Sequence, residues 1–165
     1  EKDKKKRRKL AEDLIKDRPI SAILESAIFV IKMTGVPRAM THQIVRHRGM
    51  SFNQESLRVS SCYPNTIRAP DNLNGEQQAY FEQTARSCRD LYAWLVKSGI
   101  PMEQARNIMP MGTETKIMMI TNLKELKGYL KARSSVITQD EHHHIVELIK
   151  IELQNKCPEF YKMVI

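Results

Sequence analysis

A segment of sixteen residues, from Gln43 to Arg58, concentrates the side chains best suited to bind a charged ligand. It contains three arginines, one histidine, two serines and three side-chain amides. Guanidinium groups match phosphate oxygens two at a time, and hydroxyl and amide groups add hydrogen bonds that can read a base or a ring. This arginine-rich segment therefore predicts a site for an anionic, phosphate-bearing ligand.

A purely structural explanation accounts for part of the arginine-rich segment. The sequence predicts a helix over residues 37–48, with a proline near its first turn and a glycine just past its end. Arginines in a last turn interact favourably with the negative end of the helix dipole, which explains Arg46 and Arg48 without a ligand. Ser56 and Arg58 lie beyond that helix, so this explanation does not reach them.

The order and spacing of the segment resemble the signature of the flavin-dependent thymidylate synthases, also called thymidylate synthase complementing proteins. Arg-His-Arg at 46–48 is separated by seven residues from Ser56, and Arg58 follows. A second block, residues 105–110 followed by Thr115, is similar to the family's Ala-Arg-x-x-Leu-Pro segment. A third block at family intervals consists of Asn122, Leu126, Leu130, Arg133, Gln139 and Glu141.

The resemblance implies a reaction, the reductive methylation of dUMP to dTMP. It implies FAD as cofactor, NADPH as reductant, methylenetetrahydrofolate as one-carbon donor, and a homotetramer with FAD at subunit interfaces. A flavin carries the hydride chemistry, so the protein's task is to bind, orient and polarise. That suits a chain rich in phosphate-type donors, in which no cysteine has the setting of an activated nucleophile.

The resemblance also implies roles for individual residues. Arg133 and Ser56 are the candidate catalytic residues: Arg133 favours ionisation at N3 of the uracil, whereas Ser56 has no base positioned to make it a covalent nucleophile. Ser56 and Arg58 would lie on the phosphate side of dUMP, and Arg106 would clamp phosphate in a neighbouring subunit's site. The implied dUMP ligands are Gln43, Arg46, Gln54, Glu55, Ser56, Leu57, Arg58, Arg106 and Arg133. The implied FAD ligands are Arg46, His47, Arg48, Gln54, Asn122 and Lys124.

The chain departs from the family pattern in ways that bear on FAD more than on dUMP. Residues 20–26 match a family element that carries two histidines, but here only Glu25 fits. Gln54 stands where a glutamate is common, and Gly128 replaces a polar residue near the flavin. The family's first residues have no counterpart, so we expect an upstream segment to be missing. A non-catalytic nucleotide-binding relative that has lost flavin remains the alternative.

Bulk properties limit the other functions. The net charge of +8 allows a nucleotide, a nucleic acid or an anionic membrane as partner. Aromatic residues make up 6% of the chain and are not interleaved with the arginines, which disfavours a nucleic-acid module. No apolar run is long enough to span a bilayer. Three cysteines without metal-ligand spacing are typical of a reducing, cytoplasmic location. Consecutive helical histidines at 142–144 splay apart, which predicts a solvent-facing patch and no metal site.

The balance of predicted helices and strands indicates an α+β, helix-rich single domain, residues 1–165, with a small sheet. Apolar periodicity predicts a buried stripe on the longest helix that includes Ala85, Leu91 and Tyr92. The same periodicity predicts inward side chains on the two later helices: Leu123, Leu126, Tyr129 and Leu130 on 122–133, and Ile145, Leu148, Ile149 and Leu153 on 138–155. We expect further strands from an upstream segment or a neighbouring subunit. The predicted helices are 2–16, 37–48, 75–97, a short one after Pro101, 122–133 and 138–155. The predicted strands are 27–33 and 115–121. The remaining predictions are an extended segment at 58–63, a loop at 64–73, a turn at 109–112 and a short tail after Pro158.

Overall fold

The computed structural model describes residues 21–61, 66–135 and 140–165, together with the single positions 3, 5, 6, 9 and 13, which are helical. Most of the predicted helix over 2–16 lies outside the described residues. So do parts of the predicted segments at 58–63, 64–73 and 138–155.

Eleven described elements follow one another along the chain, and they form the α+β, helix-rich class that the sequence predicts. The three strands make one antiparallel sheet in the order β1-β3-β2, so β3 is central. The elements are α1 (Ser21–Ser26), β1 (Ile28–Pro37), α2 (Arg38–Ile44), β2 (Ser51–Gln54), α3 (Gly75–Lys97), α4 (Met102–Ala105), a 3-10 turn (Arg106–Ile108), β3 (Glu114–Asn122), α5 (Leu123–Arg133), α6 (Asp140–Lys156) and α7 (Pro158–Val164).

The chain divides into two compact units, each of which is described by itself. The terminal unit comprises Glu1–Val30, Gly49–Ser51 and Ile120–Ile165, and the middle unit comprises Ile31–Arg48 and Phe52–Met119. A single domain over the whole chain stays a prediction.

Helix α3 organises the middle unit and has the bounds that the sequence predicts. It begins at a capping box, in which the Asn74 side chain accepts from the Gln77 backbone and the Gln77 side chain accepts from the Asn74 backbone. Its inward face buries Ala85 and Tyr92, and Tyr92 packs in a cluster with Leu57 and Ala105. Leu91 was predicted to face inward but is 41% exposed, because it lies about 100° around the helix from Tyr92.

The terminal unit is held by α5 and α6. As predicted, α5 buries Leu123, Leu126, Tyr129 and Leu130. Inward placement is confirmed for Ile149 and Leu153 on α6 and is wrong for Leu148, which is 43% exposed.

One prediction for the C-terminal part of the terminal unit needs correction. His142 is fully buried, and its Nε2 lies 2.8 Å from the Tyr129 hydroxyl, so a solvent-facing patch holds only for His143 and His144. A polar side chain is retained in the core here because it has a hydrogen-bond partner on the neighbouring helix.

Helix α6 ends at Lys156, before Pro158, as predicted. The short tail after it is helix α7, and Pro158 occupies its first turn.

The arginine-rich segment folds differently from its prediction. Strand β1 continues through Gly35, which has a φ of 69°, as far as Pro37, and α2 then ends at Ile44. Residues 58–60 form a turn and a bend rather than an extended segment. Strand β2 was not predicted, because only one of its four residues, Phe52, is apolar and no alternation is visible without knowing its partner strand.

Candidate functional site

The turn that follows α2 presents two of the site arginines to solvent. The backbone N–H of Val45 donates to Thr41 and that of His47 donates to Ile44, at 3.1 Å each, so the turn is held by the end of the helix. Arg46 and Arg48 are exposed, whereas His47 is half-buried. The prediction that Arg46 and Arg48 lie in the last turn of a helix is wrong, because α2 ends at Ile44. The purely structural explanation of these two arginines therefore does not hold.

A second turn carries Ser56, Leu57 and Arg58 and is anchored by the middle residue. The Leu57 side chain is 3% exposed and packs with Tyr92 and Ala105. The Ser56 hydroxyl accepts from the backbone N–H of Arg58 at 3.2 Å, the bond expected of a turn serine. The buried leucine therefore fixes the turn, and Arg58 projects from it with 63% of its side chain exposed.

Arg58 and Arg106, which come from two different sequence blocks, contact the same residue. Both Nε and Nη2 of Arg58 donate to Oε2 of Glu103, at 3.2 Å and 2.9 Å. Nε of Arg106 donates to the backbone oxygen of Glu103 at 3.1 Å. The fold of the middle unit thus gathers two of the predicted phosphate-binding arginines around the start of α4.

Sequence reasoning missed Glu103. The available signal was weak: an acidic residue three positions before Arg106, on the same face of a short helix. Its partner Arg58 is 45 residues away along the chain, so the pairing could not be read from local spacing.

Two further site residues lie at the end of β2: Gln54 is its last residue, and Glu55 follows it. The backbone N–H of Glu55 donates to the backbone oxygen of Lys116 at 2.9 Å, and the carboxylate of Glu55 lies 3.6 Å from the Lys116 ammonium. The side-chain nitrogen of Gln54 is buried and has no hydrogen-bond partner among the described residues, and neither has the hydroxyl of Thr115. Buried donors without partners are costly, so both groups would gain from a water or a ligand that reached them.

The terminal unit holds the remaining site residues, among them Asn122 and Lys124, which both have protein partners. The Asn122 side chain accepts from the backbone N–H of Glu125 at 2.9 Å and so caps α5. Lys124 donates to a carboxylate oxygen of Glu25 at 2.7 Å, and this hydrogen bond, together with the negative charge of Glu25, raises the pKa of Lys124.

Arg133 ends helix α5 and is half-buried. Burial raises the pKa of the nearby Tyr129 hydroxyl, and the charge of Arg133 opposes that rise to a smaller extent. The Arg133 guanidinium is therefore close enough for its charge to act on the buried Tyr129 hydroxyl.

Two classes of site are not found within residues 21–61, 66–135 and 140–165 and the five single positions. No group of three or more His, Cys, Asp or Glu side chains could hold a metal ion. No helix there combines the length and the apolar content that crossing a membrane requires.

Comparison with known proteins gives a consistent result. The model of the thymidylate synthase complementing protein family matches residues 1–159. A Geobacter sulfurreducens protein named flavin-dependent thymidylate synthase is 32% identical over 135 residues, which are 79% of this chain and 58% of that protein.

Archaeal proteins of the same name are also similar. The one from Thermococcus onnurineus is 33% identical over 119 residues, 68% of this chain and 49% of that protein. The one from Sulfurisphaera tokodaii is 26% identical over 145 residues, 87% of this chain and 56% of that protein. The chain spans about half the length of these curated relatives.

Proposed function

Because the chain belongs to the thymidylate synthase complementing protein family, we propose that it acts as a flavin-dependent thymidylate synthase, which forms dTMP by reductive methylation of dUMP. Methylenetetrahydrofolate would donate the one-carbon unit and NADPH the reducing equivalents. The observation that carries the proposal is the convergence of Arg58 and Arg106 on Glu103. Two arginines from distant sequence blocks, held at one place and accessible from solvent, suit a nucleotide phosphate.

The phosphate end of dUMP would meet Arg58 in the middle unit. Arg106, which contacts the same Glu103, would bind either this phosphate or, as the resemblance implies, the phosphate in a neighbouring subunit's site. The turn at Ser56 adds a hydroxyl, and Leu57 can contribute only its backbone because its side chain is buried. Gln43, Arg46, Gln54 and Glu55 would complete the dUMP contacts. The buried amide nitrogen of Gln54 gains the hydrogen-bond partner that it lacks among the described residues.

Arg133 would act on the pyrimidine. A guanidinium near N3 stabilises the ionised form of the ring, and arginine keeps its charge while doing so. Ionisation at N3 raises electron density at C5, the carbon that becomes methylated. Ser56 would hold the substrate rather than attack it, since its hydroxyl is engaged with the Arg58 backbone and no base contacts it among the described residues.

The donor set tests whether FAD fits this chain. Arg46 and Arg48 are exposed cations on one tight turn, next to His47, and suit the pyrophosphate of a dinucleotide. The flavin, when bound, supplies the hydride chemistry, and these residues bind and orient it. Asn122 and Lys124 fit less readily, because they would have to exchange the Glu125 backbone and the Glu25 carboxylate for the cofactor.

We also propose a homotetramer in the cytoplasm. Large apolar side chains, among them Ile28, Val30 and Trp94, are each more than 60% exposed in the single chain, which supports association. The cysteine content supports a reducing compartment.

The test is made on the natural full-length protein. We expect a yellow protein with a flavin absorption spectrum, and NADPH oxidation with dTMP formation only when dUMP and methylenetetrahydrofolate are both present. A protein that shows no dUMP-dependent turnover in the presence of added FAD would contradict the proposal.

A second function is favoured by the engaged state of Asn122 and Lys124. In that case the protein is a nucleotide-binding relative without flavin: it is colourless, does not oxidise NADPH, and unfolds at a higher temperature when dUMP is added. Binding of DNA or RNA with a steep salt dependence, together with indifference to dUMP, would instead indicate a nucleic-acid module.

A further inference from the structure

The carboxylate of Glu103 occupies the donors with which Arg58 would bind a phosphate. One oxygen, Oε2, accepts from both Nε and Nη2 of Arg58, which are adjacent nitrogens on one edge of the guanidinium. Phosphate oxygens are bound by the same edge in bidentate contacts. The Glu103 carboxylate thus stands where an anionic ligand oxygen would stand in a complex.

The backbone of Glu103 has a second role, because its carbonyl oxygen accepts from Nε of Arg106. The two contacts use different groups of the same residue: the side chain holds Arg58, and the main chain holds Arg106. A change in the side chain can therefore release Arg58 while leaving the contact to Arg106 in place.

We propose that Glu103 is a displaceable partner of Arg58: it holds the arginine in position in the ligand-free protein and gives it up to the phosphate of the incoming nucleotide. This inference rests on the proposed function, which assigns Arg58 to the phosphate of dUMP. Glu103 is a positioning residue in this scheme. It orders a long side chain in advance, and its negative charge reduces the affinity for any phosphate that must take its place.

The exposure of Arg58 and Glu103 determines how strongly their ion pair can change the affinity for a phosphate. The side chains of Arg58 and Glu103 are 63% and 47% exposed, so water screens their attraction. An exposed ion pair changes an equilibrium by at most about fivefold. Displacement by a dianionic phosphate is therefore feasible, and the effect of Glu103 on affinity is small but measurable.

The substitution Glu103→Gln tests the proposal, because it removes the charge, preserves the shape and leaves the backbone contact to Arg106. By isothermal titration calorimetry on the full-length protein, we expect dUMP to bind two- to fivefold tighter. Deoxyuridine, which has no phosphate, should bind as it does to the wild type. A purely structural role for Glu103 would not separate these two ligands.

Two further variants isolate the contribution of Arg58. Glu76→Gln makes the same change in net charge at an exposed glutamate on α3 and should leave dUMP binding unaltered. In a protein that already carries Arg58→Ala, Glu103→Gln should not raise the affinity for dUMP more than Glu76→Gln does. Unchanged or weaker dUMP binding by Glu103→Gln overturns the proposal, as does a gain that persists without Arg58.

Failure of the proposed function would be recognisable separately. If the wild type binds neither dUMP nor deoxyuridine, that function is wrong, and inorganic phosphate becomes the probe. The displaceable-partner proposal then still requires phosphate binding that depends on Arg58 and tightens in Glu103→Gln. Absence of such binding overturns this proposal too.

Discussion

Arg58 depends on its neighbours for its position more than on its own charge. Leu57 is buried against Tyr92 and Ala105, and the Ser56 hydroxyl closes the turn on the Arg58 backbone. Within the part of the chain that the structure describes, the guanidinium is exposed and pairs with another exposed group, the Glu103 carboxylate. The family resemblance implies a phosphate-binding role for Arg58, but Glu103, its carboxylate partner, is visible only in the folded chain.

Replacing Arg58 with alanine should weaken dUMP binding by about 1.5–3 kcal/mol, the contribution of a hydrogen bond to a charged group. The affinity for deoxyuridine should not change, because the lost contact is to the phosphate. Calorimetry measures both affinities. Arg86→Ala, which removes an exposed arginine from α3, is the matched control and should bind dUMP normally; equal losses in the two variants would point to net charge alone.

Replacing Arg133 with alanine should reduce the rate of dTMP formation by about 100-fold or more, the usual cost of removing one preorganised charge from a reacting site. The flavin spectrum of the variant should be retained, because Arg133 is assigned to the pyrimidine. Turnover is measured as dTMP formed under saturating cofactors. Lys131→Ala removes another cation from the same last turn and should react normally; normal turnover by Arg133→Ala would refute the assigned role.

Element boundaries explain which parts of the site were foreseeable. Helix α3 has local signals at both ends, a capping box and Gly99 with a φ of 89°, and its bounds were predicted correctly. Helix α2 has no side-chain cap, and its end at Ile44 was not foreseen. Strand β2 exists because its residues pair with β3, and a pairing partner is a tertiary property.

Two glycines should respond in opposite directions to substitution by alanine. At Gly112 a Cβ would lie 2.8 Å from the backbone oxygen of Arg68, which cannot move cheaply, so we expect a loss of about 1–3 kcal/mol in the free energy of unfolding. At Gly128, inside α5, a Cβ would meet nothing within 4 Å. There we expect a gain of about 0.5–1 kcal/mol, because alanine has less conformational freedom in the unfolded chain.

Urea denaturation of the two variants measures both effects. The wild type is the common reference, and each substitution adds one methyl group. A more stable Gly112→Ala variant would contradict the close approach of the Arg68 backbone to Gly112. A less stable Gly128→Ala variant would contradict the open space at Gly128.

The hydroxyl of Tyr129 on α5 forms a buried hydrogen bond with His142 on α6. Tyr129→Phe removes this bond and should lower the free energy of unfolding at pH 8 by about 1–3 kcal/mol. Burial raises the pKa of Tyr129 above its ordinary value of 10.0. Above about pH 10 the unfolded chain therefore loses the tyrosine proton while the folded chain keeps it, and the wild type becomes less stable as pH rises.

The difference in stability between the wild type and Tyr129→Phe should accordingly shrink between about pH 8 and about pH 10.5. Urea denaturation at both pH values checks this. Tyr80→Phe, which makes the same substitution at a tyrosine that is 73% exposed, is the control. A difference that is constant with pH would mean that Tyr129 ionises equally in both states.

The whole molecule raises the question of assembly. The family membership is shown by a match over residues 1–159, whereas the proposed homotetramer is supported only by the resemblance and by large apolar side chains left exposed in one chain. Strand β1 is one edge of the sheet and carries two of them, Ile28 and Val30. Edge strands with exposed apolar residues favour association.

If the protein is a homotetramer, its thermal unfolding midpoint should rise between about 1 µM and about 100 µM protein, because association stabilises the folded state by mass action. Sedimentation velocity over the same range should show an assembly that dissociates, if at all, only on dilution. A midpoint independent of concentration, with the sedimentation of a single chain throughout, would contradict the homotetramer.

Features that depend on near neighbours or on residue type could be predicted from the sequence. These are the bounds of α3, the buried stripe of α5 and the α+β class; the phosphate-binding role of Arg58 and Arg106 stays a prediction. The pairing of β2 with β3, the burial of His142 against Tyr129 and the meeting of both arginines at Glu103 are seen only in the folded chain. Helix caps and apolar periodicity depend on residues that are close together in the sequence, so they can be recognised before the fold is known. A contact between residues 45 apart forms only when folding brings them within hydrogen-bonding distance.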